Sequence, residues 1–106
     1  MNPFDVKTTE RDGSATVAVS GDLDCATAPR LRATLERVAS ARRTVLVDLS
    51  GTEFMDCAGV GVLVGSHTRL CDLGGDLIVG STSDAVLRVL ELTGAIEEIT
   101  TADGSG

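Results

Sequence analysis

The residues able to do chemistry are few. His67 is the only imidazole, three cysteines stand at Cys25, Cys57 and Cys71, and four carboxylates, Asp22, Asp24, Asp48 and Asp56, fall at strand ends or in the loops that follow. Asp48, ending a strand, could accept a phosphoryl group. That chemistry also needs a lysine at a later strand end, and the only lysine is Lys7. Gly59-Val60-Gly61 with Gly65 imitates a glycine-rich nucleotide loop. Its third glycine comes one position late, and no Lys-Ser or Lys-Thr follows. Those glycines read as helix–sheet packing, and His67 reads as a packed side chain on a helix. The cysteines form no C-x-x-C pair and are read as having no ligand spacing with His67, so no zinc site and no metal are expected. The four aspartates read as turn and cap formers. The residues indicate neither an enzyme nor a cofactor.

The elements that would position these residues follow from periodicity and punctuation. Residues 4–9 and 14–20 read as strands joined by the turn signal Asp12-Gly13. Residues 21–25 read as a loop. Thr27 reads as an N-cap before Pro29 and a helix carrying Ala28, Leu31, Leu35 and Val38 inward to about residue 41. Residues 44–49 form a nearly continuous apolar run, the mark of a buried parallel strand. A second helix begins between Asp56 and Gly59 and reaches Leu73, with Leu63 and Leu70 central and Val60, Val62, Val64 and Leu73 beside them. Gly74-Gly75 stops it. Residues 76–79 form a strand. Ser83 caps a third helix with Val86, Leu87 and Leu90 inward, and Gly94 follows it. Ile96 and Ile99 belong to a last short strand or turn. Strands alternating with helices predict an α/β domain with a mixed, mainly parallel sheet of four to five strands and three to four helices.

Composition sets the outer bounds. The chain has 106 residues, 42% hydrophobic, with nine basic and sixteen acidic side chains and a net charge of −7. That length suits one domain over residues 1–106, with 100–106 a frayed tail. The negative charge argues against nucleic acid and anionic membranes as direct partners. No apolar stretch approaches the ~20 residues of a membrane span, and the first residues lack signal-peptide character. The expectation is a cytoplasmic protein with reduced cysteines.

One segment is more specific than all of this. Residues 47–63, V-D-L-S-G-T-E-F-M-D-C-A-G-V-G-V-L, resemble the signature of STAS domains, and more closely that of bacterial anti-sigma factor antagonists. Val19-Ser20-Gly21-Asp22-Leu23-Asp24 with Thr27-Ala28, and Val89-Leu90-Glu91-Leu92-Thr93-Gly94, are similar to two further family segments. The resemblance implies a single STAS domain that binds an anti-sigma factor, usually a GHKL-type serine kinase, and so releases a sigma factor. It implies that the kinase phosphorylates a serine at the start of the second helix, which abolishes binding. The surface so implied is Asp22, Asp24, Asp56, Cys57, Ala58, Gly59 and Val60. The chain departs from the pattern at its centre. Ala58 occupies the phospho-acceptor position and Cys57 the preceding serine.

Two consequences are expected. The antagonist is constitutive or is controlled differently, and a redox role falls to Cys57, alone or with Cys25. Oxidation of Cys57 to a sulfinate would set a negative charge one residue from the family's phosphate. The other reading of the resemblance is a STAS scaffold or accessory subunit, as in stressosome-like assemblies or lipid ABC transporters. Either way the protein is read as a monomer or weak dimer.

Overall fold

The computed structural model describes residues 3–40 and 43–101. Its strands are β1 (Asp5–Arg11), β2 (Ser14–Leu23), β3 (Thr44–Met55), β4 (Asp76–Thr82) and a stub, β5 (Thr100–Thr101). Its helices are α1 (Ala28–Val38), α2 (Cys57–Asp72) and α3 (Asp84–Leu92), with a single 3-10 turn at Ala95–Glu97. The strands lie side by side in chain order. β1 runs antiparallel to β2, and every other neighbouring pair is parallel. This is the expected mixed, mainly parallel α/β sheet.

Alternation along the strands decides which face is covered. Ala15, Val17 and Val19 of β2, Val45, Val47 and Leu49 of β3, and Leu77 and Val79 of β4 are buried. Residues between them, such as Ala18, Leu46 and Ile78, are half-buried. The apolar run at 44–49 is therefore a parallel strand buried on one face and half-buried on the other. The helices supply Leu31, Leu35, Leu63, Leu70, Val86 and Leu90 to the covered face. Each fully buried leucine contributes about 1.5–3 kcal/mol. Leu87 and Leu73, read as inward, are exposed.

Two strands outrun their predicted ends. β2 continues through Gly21 to Leu23, and β3 continues through Ser50-Gly51 to Met55. Register shifts in the β2–β3 pairing absorb the irregularity, with Gly21 at φ +87°. A Cβ on Gly21 would lie 2.8 Å from the Phe4 Cα. The buried Thr52 hydroxyl donates to the Val19 carbonyl at 3.2 Å. Glycines that punctuate the sequence as loops are thus bulges in a continued ladder.

Other boundaries shift as well. α1 stops at Val38, short of residue 41, which lies outside the described residues. The Arg43 guanidinium there donates to the Val38 carbonyl at 2.7 Å and to Glu10 at 2.7 Å. Residues 100 and 101, expected to fray, pair with Ile78 and Val79. The rest of the expected tail, 102–106, lies outside the described residues.

Candidate functional site

The edge where β2 and β3 end assembles the residues singled out in the sequence. Asp22 pairs with Phe54 and Leu23 with Met55. The Asp56 N–H then donates to the Leu23 carbonyl at 3.2 Å. These links make the turn 24–27 and the start of α2 neighbours. Cys25 and Cys57, each two residues beyond a paired strand end, sit in these adjoining segments as exposed free thiols.

α2 starts at Cys57 because Asp56 caps it. Asp56 is extended, and its carboxylate accepts the Ala58 N–H at 2.9 Å. Gly59 is buried where the helix meets the sheet. A Cβ there would lie 2.7 Å from Met55 Cγ and 2.8 Å from Leu23 Cγ, so its packing reading holds. The same reading fails at Gly61, which is exposed and would meet nothing within 4 Å. Cys57 is exposed at the first helical position, and Ala58 and Val60 are half-exposed. Ala58 presents only a methyl group at this helix start.

The acidic turn divides its labour. The Asp24 carboxylate accepts the N–H groups of Ala26 at 2.9 Å and Thr27 at 3.0 Å. The Thr27 side chain does not cap α1 as expected. Its hydroxyl turns back, donating to the Asp22 carbonyl at 2.7 Å and accepting the Asp24 N–H at 2.9 Å. Asp24 is thus a turn former, as read. Asp22 is exposed at the strand end, and Asp48 accepts the Ser50 N–H at 2.9 Å.

Two features escaped the sequence reading. Phe54 is 49% exposed beside Asp22, an aromatic surface at the edge. The register shifts hide it, because they break the alternation that would have assigned its face. The second is a groove of about 340 Å³ between α1 and α2. Ala58, Gly61 and Gly65 line it from α2, and Arg32 and Glu36 from α1, with Arg69 at one end. Glu36 accepts from Arg32 at 3.4 Å and from Arg69 at 3.1 Å. These ion pairs are exposed and contribute at most about 1 kcal/mol each. Two glycines in an exposed helical face cost up to about 1 kcal/mol each relative to alanine, and here they keep the groove open.

A separate polar cluster lies at the far end of α2. His67, Cys71 and Asp76 bring an imidazole nitrogen, a thiol and a carboxylate oxygen within 4.8 Å of one another. His67 is largely packed, as read, with 17% of its side chain exposed. Desolvation, then the charges of Asp76 and Asp72, raises the Cys71 thiol above its ordinary range. The signal for this cluster was present, since His67 and Cys71 stand one helical turn apart. The expectation of no metal site held that no cysteine stands at ligand spacing from His67, a reading that overlooked this i, i+4 pair.

Known proteins align with this chain over most of its length. The family model for the STAS domain matches residues 5–105. An anti-sigma-B factor antagonist of Listeria monocytogenes is 34% identical over 91 residues, covering 83% of this chain and 80% of its own. One from Bacillus subtilis is 32% identical over 90 residues, covering 85% and 81%. The crystal structure of an anti-sigma factor antagonist from Mycobacterium paratuberculosis superposes with a TM-score of 0.82 at 27% identity, covering 93% of this chain and 85% of that one. No helix among the described residues is long and apolar enough to cross a membrane.

Proposed function

The chain belongs to the STAS domain family, and from that premise we propose that it is an anti-sigma factor antagonist, a binding protein and not an enzyme, that acts in the cytoplasm as a monomer or weak dimer. The observation that carries the reading is the set of anti-sigma-B factor antagonists that align over more than four-fifths of this chain. By binding an anti-sigma factor it would free a sigma factor through mass action.

The surface proposed for the partner is the carboxyl edge of β2 and β3 with the start of α2. Asp22 offers a charge, Phe54 an apolar anchor, and Cys57, Ala58 and Val60 a low-relief helix end. Gly59 lets α2 sit close enough to the sheet to join them, while Asp24 and Asp56 hold the two turns. The α1–α2 groove extends this surface, and its glycines support the reading because nothing in the fold requires them to lack a side chain. The resemblance further implies a GHKL-type serine kinase as partner.

Ala58 removes the usual switch. A phosphate at a helix start finds free N–H groups, but inside a packed interface a dianion beside Asp22 and Asp56 is repelled and costly to desolvate. An alanine cannot acquire that charge, so the antagonist stays active in the presence of the kinase. Control then falls to another input, for which Cys57, exposed at the first turn, alone or with Cys25, is the candidate.

The test is titration of the chain into its anti-sigma factor, followed by calorimetry. Ala58→Glu should weaken binding by about 2 kcal/mol, roughly thirty-fold. Incubation with the kinase and ATP should leave wild-type chain unlabelled. An unchanged dissociation constant for Ala58→Glu removes α2 from the interface, and label on Ser50, Thr52 or Ser66 removes the claim of escape from phosphorylation. Peroxide should weaken binding of wild type but not of Cys57→Ser if the thiol is the switch.

A further inference from the structure

The cluster at the carboxyl end of α2 assembles the donor set of a metal site. His67 Nε2 lies 3.4 Å from Asp76 Oδ1 and 3.7 Å from Cys71 Sγ. Cys71 Sγ lies 3.9 Å from Asp76 Oδ1. The three atoms form a nearly equilateral triangle. Around zinc, Zn–N and Zn–O bonds of about 2.0–2.2 Å and Zn–S bonds of about 2.3 Å give tetrahedral edges near ~3.4 Å between N and O, and near ~3.6 Å to S. The observed edges match these within a few tenths of an ångström.

A catalytic relay would use the same residue types in another arrangement. There the base presents one nitrogen to the nucleophile and the other to the carboxylate. Here the same Nε2 is the nitrogen nearest both the thiol and the carboxylate. Cys71 Sγ is also 4.0 Å from Nδ1, so ligation needs the His67 ring to turn until its Nε2 lone pair faces the thiol and the carboxylate.

The surroundings favour a cation. The negative dipole end of α2 lies in this region. Asp72 adds a carboxylate whose charge reaches the thiol. Two ligands come from one helix a turn apart, and the third comes from the first residue of β4. The α2–β4 turn between them is rigidly set. Gly74 adopts φ +84°, and a Cβ on Gly75 would collide with the Arg43 carbonyl oxygen.

We propose that His67, Cys71 and Asp76 form a binding site for zinc or a similar borderline divalent ion, with the fourth position open to solvent. The ion clamps the end of α2 to the start of β4. Cys71 binds as thiolate and its proton passes to solvent. The ligands stand about 15–21 Å along α2 from Cys57 and none of them lines the antagonist edge or the α1–α2 groove, so the two proposals can fail independently.

Cobalt(II) is the probe, titrated into full-length, chelator-stripped protein kept reduced by a phosphine. Wild type and the Cys25→Ser/Cys57→Ser variant should each bind one equivalent with the visible bands of a tetrahedral ion and a thiolate-to-cobalt charge-transfer band. Cys71→Ser should lose the charge-transfer band. His67→Gln and Asp76→Asn should each weaken zinc in competition by at least ten-fold. No charge-transfer band in wild type, a band that survives Cys71→Ser, or undiminished binding by both His67→Gln and Asp76→Asn overturns the proposal. Zinc X-ray absorption of wild type requires no variant to fold. One sulfur at about 2.3 Å with nitrogen and oxygen near 2.0–2.2 Å supports the site, and a shell without sulfur or with several overturns it.

Discussion

The two ends of α2 are built on opposite plans. At the amino end every side chain is small, the cap is an aspartate, and the helix touches the sheet through a missing side chain, Gly59. At the carboxyl end the side chains are large and polar, and they reach across a turn to another element, Asp76 of β4. The amino end gains its surface by leaving space; the carboxyl end gathers donor atoms into one point. Contiguous residues 56–59 make the first, so a sequence motif reports it. The second closes only when β4 returns beside α2.

Predictions can break this contrast at both ends. The largest effect belongs to Gly59→Ala, which pushes a methyl group against Met55 and Leu23. It should cost about 1–3 kcal/mol in urea unfolding, and a neutral result would show that the helix–sheet contact has slack. Asp56→Ala removes the acceptor for the Ala58 N–H and should cost about 1 kcal/mol in the same assay. Gly61→Ala, two residues beyond Gly59, should do the reverse. Its methyl group meets open space, so stability should rise by about 0.5–1 kcal/mol. A loss there would place Gly61 with Gly59 as a packing glycine.

The smallest effect concerns the carboxyl end. Asp76 is one cause of the raised Cys71 thiol, so removing its charge lowers that pKa toward the ordinary value. In a Cys25→Ser/Cys57→Ser background with chelator present, Asp76→Asn should shift the pH profile of Cys71 alkylation downward. The same sign governs stability. A thiol held protonated in the fold stabilises it fully below the unfolded-state pKa, and that contribution fades as pH rises through the folded value. An alkylation profile that does not move would separate Asp76 from the thiol.

Much of the fold was legible because local rules and global packing agree. Asp12-Gly13, Pro29, Ser83 and Gly94 each mark an element end where the structure has one. The errors fall where pairing overrode punctuation. Gly21 and Ser50-Gly51 read as breaks, yet the neighbouring strand keeps them in the ladder as bulges. Leu87 and Leu73 match a helical face by spacing, yet no neighbouring element covers them.

The sequence alone therefore determined the element order, the α/β class and the location of the motif at the start of α2. Those depend on periodicity, capping and contiguous residue types, all of which act within a few positions. Only the tertiary structure decided that Phe54 faces solvent, that Gly59 and Gly61 do different things, and that His67, Cys71 and Asp76 meet. Each of these depends on which element packs against the residue. A one-residue register shift or the return of a strand changes that neighbour while leaving the local sequence the same.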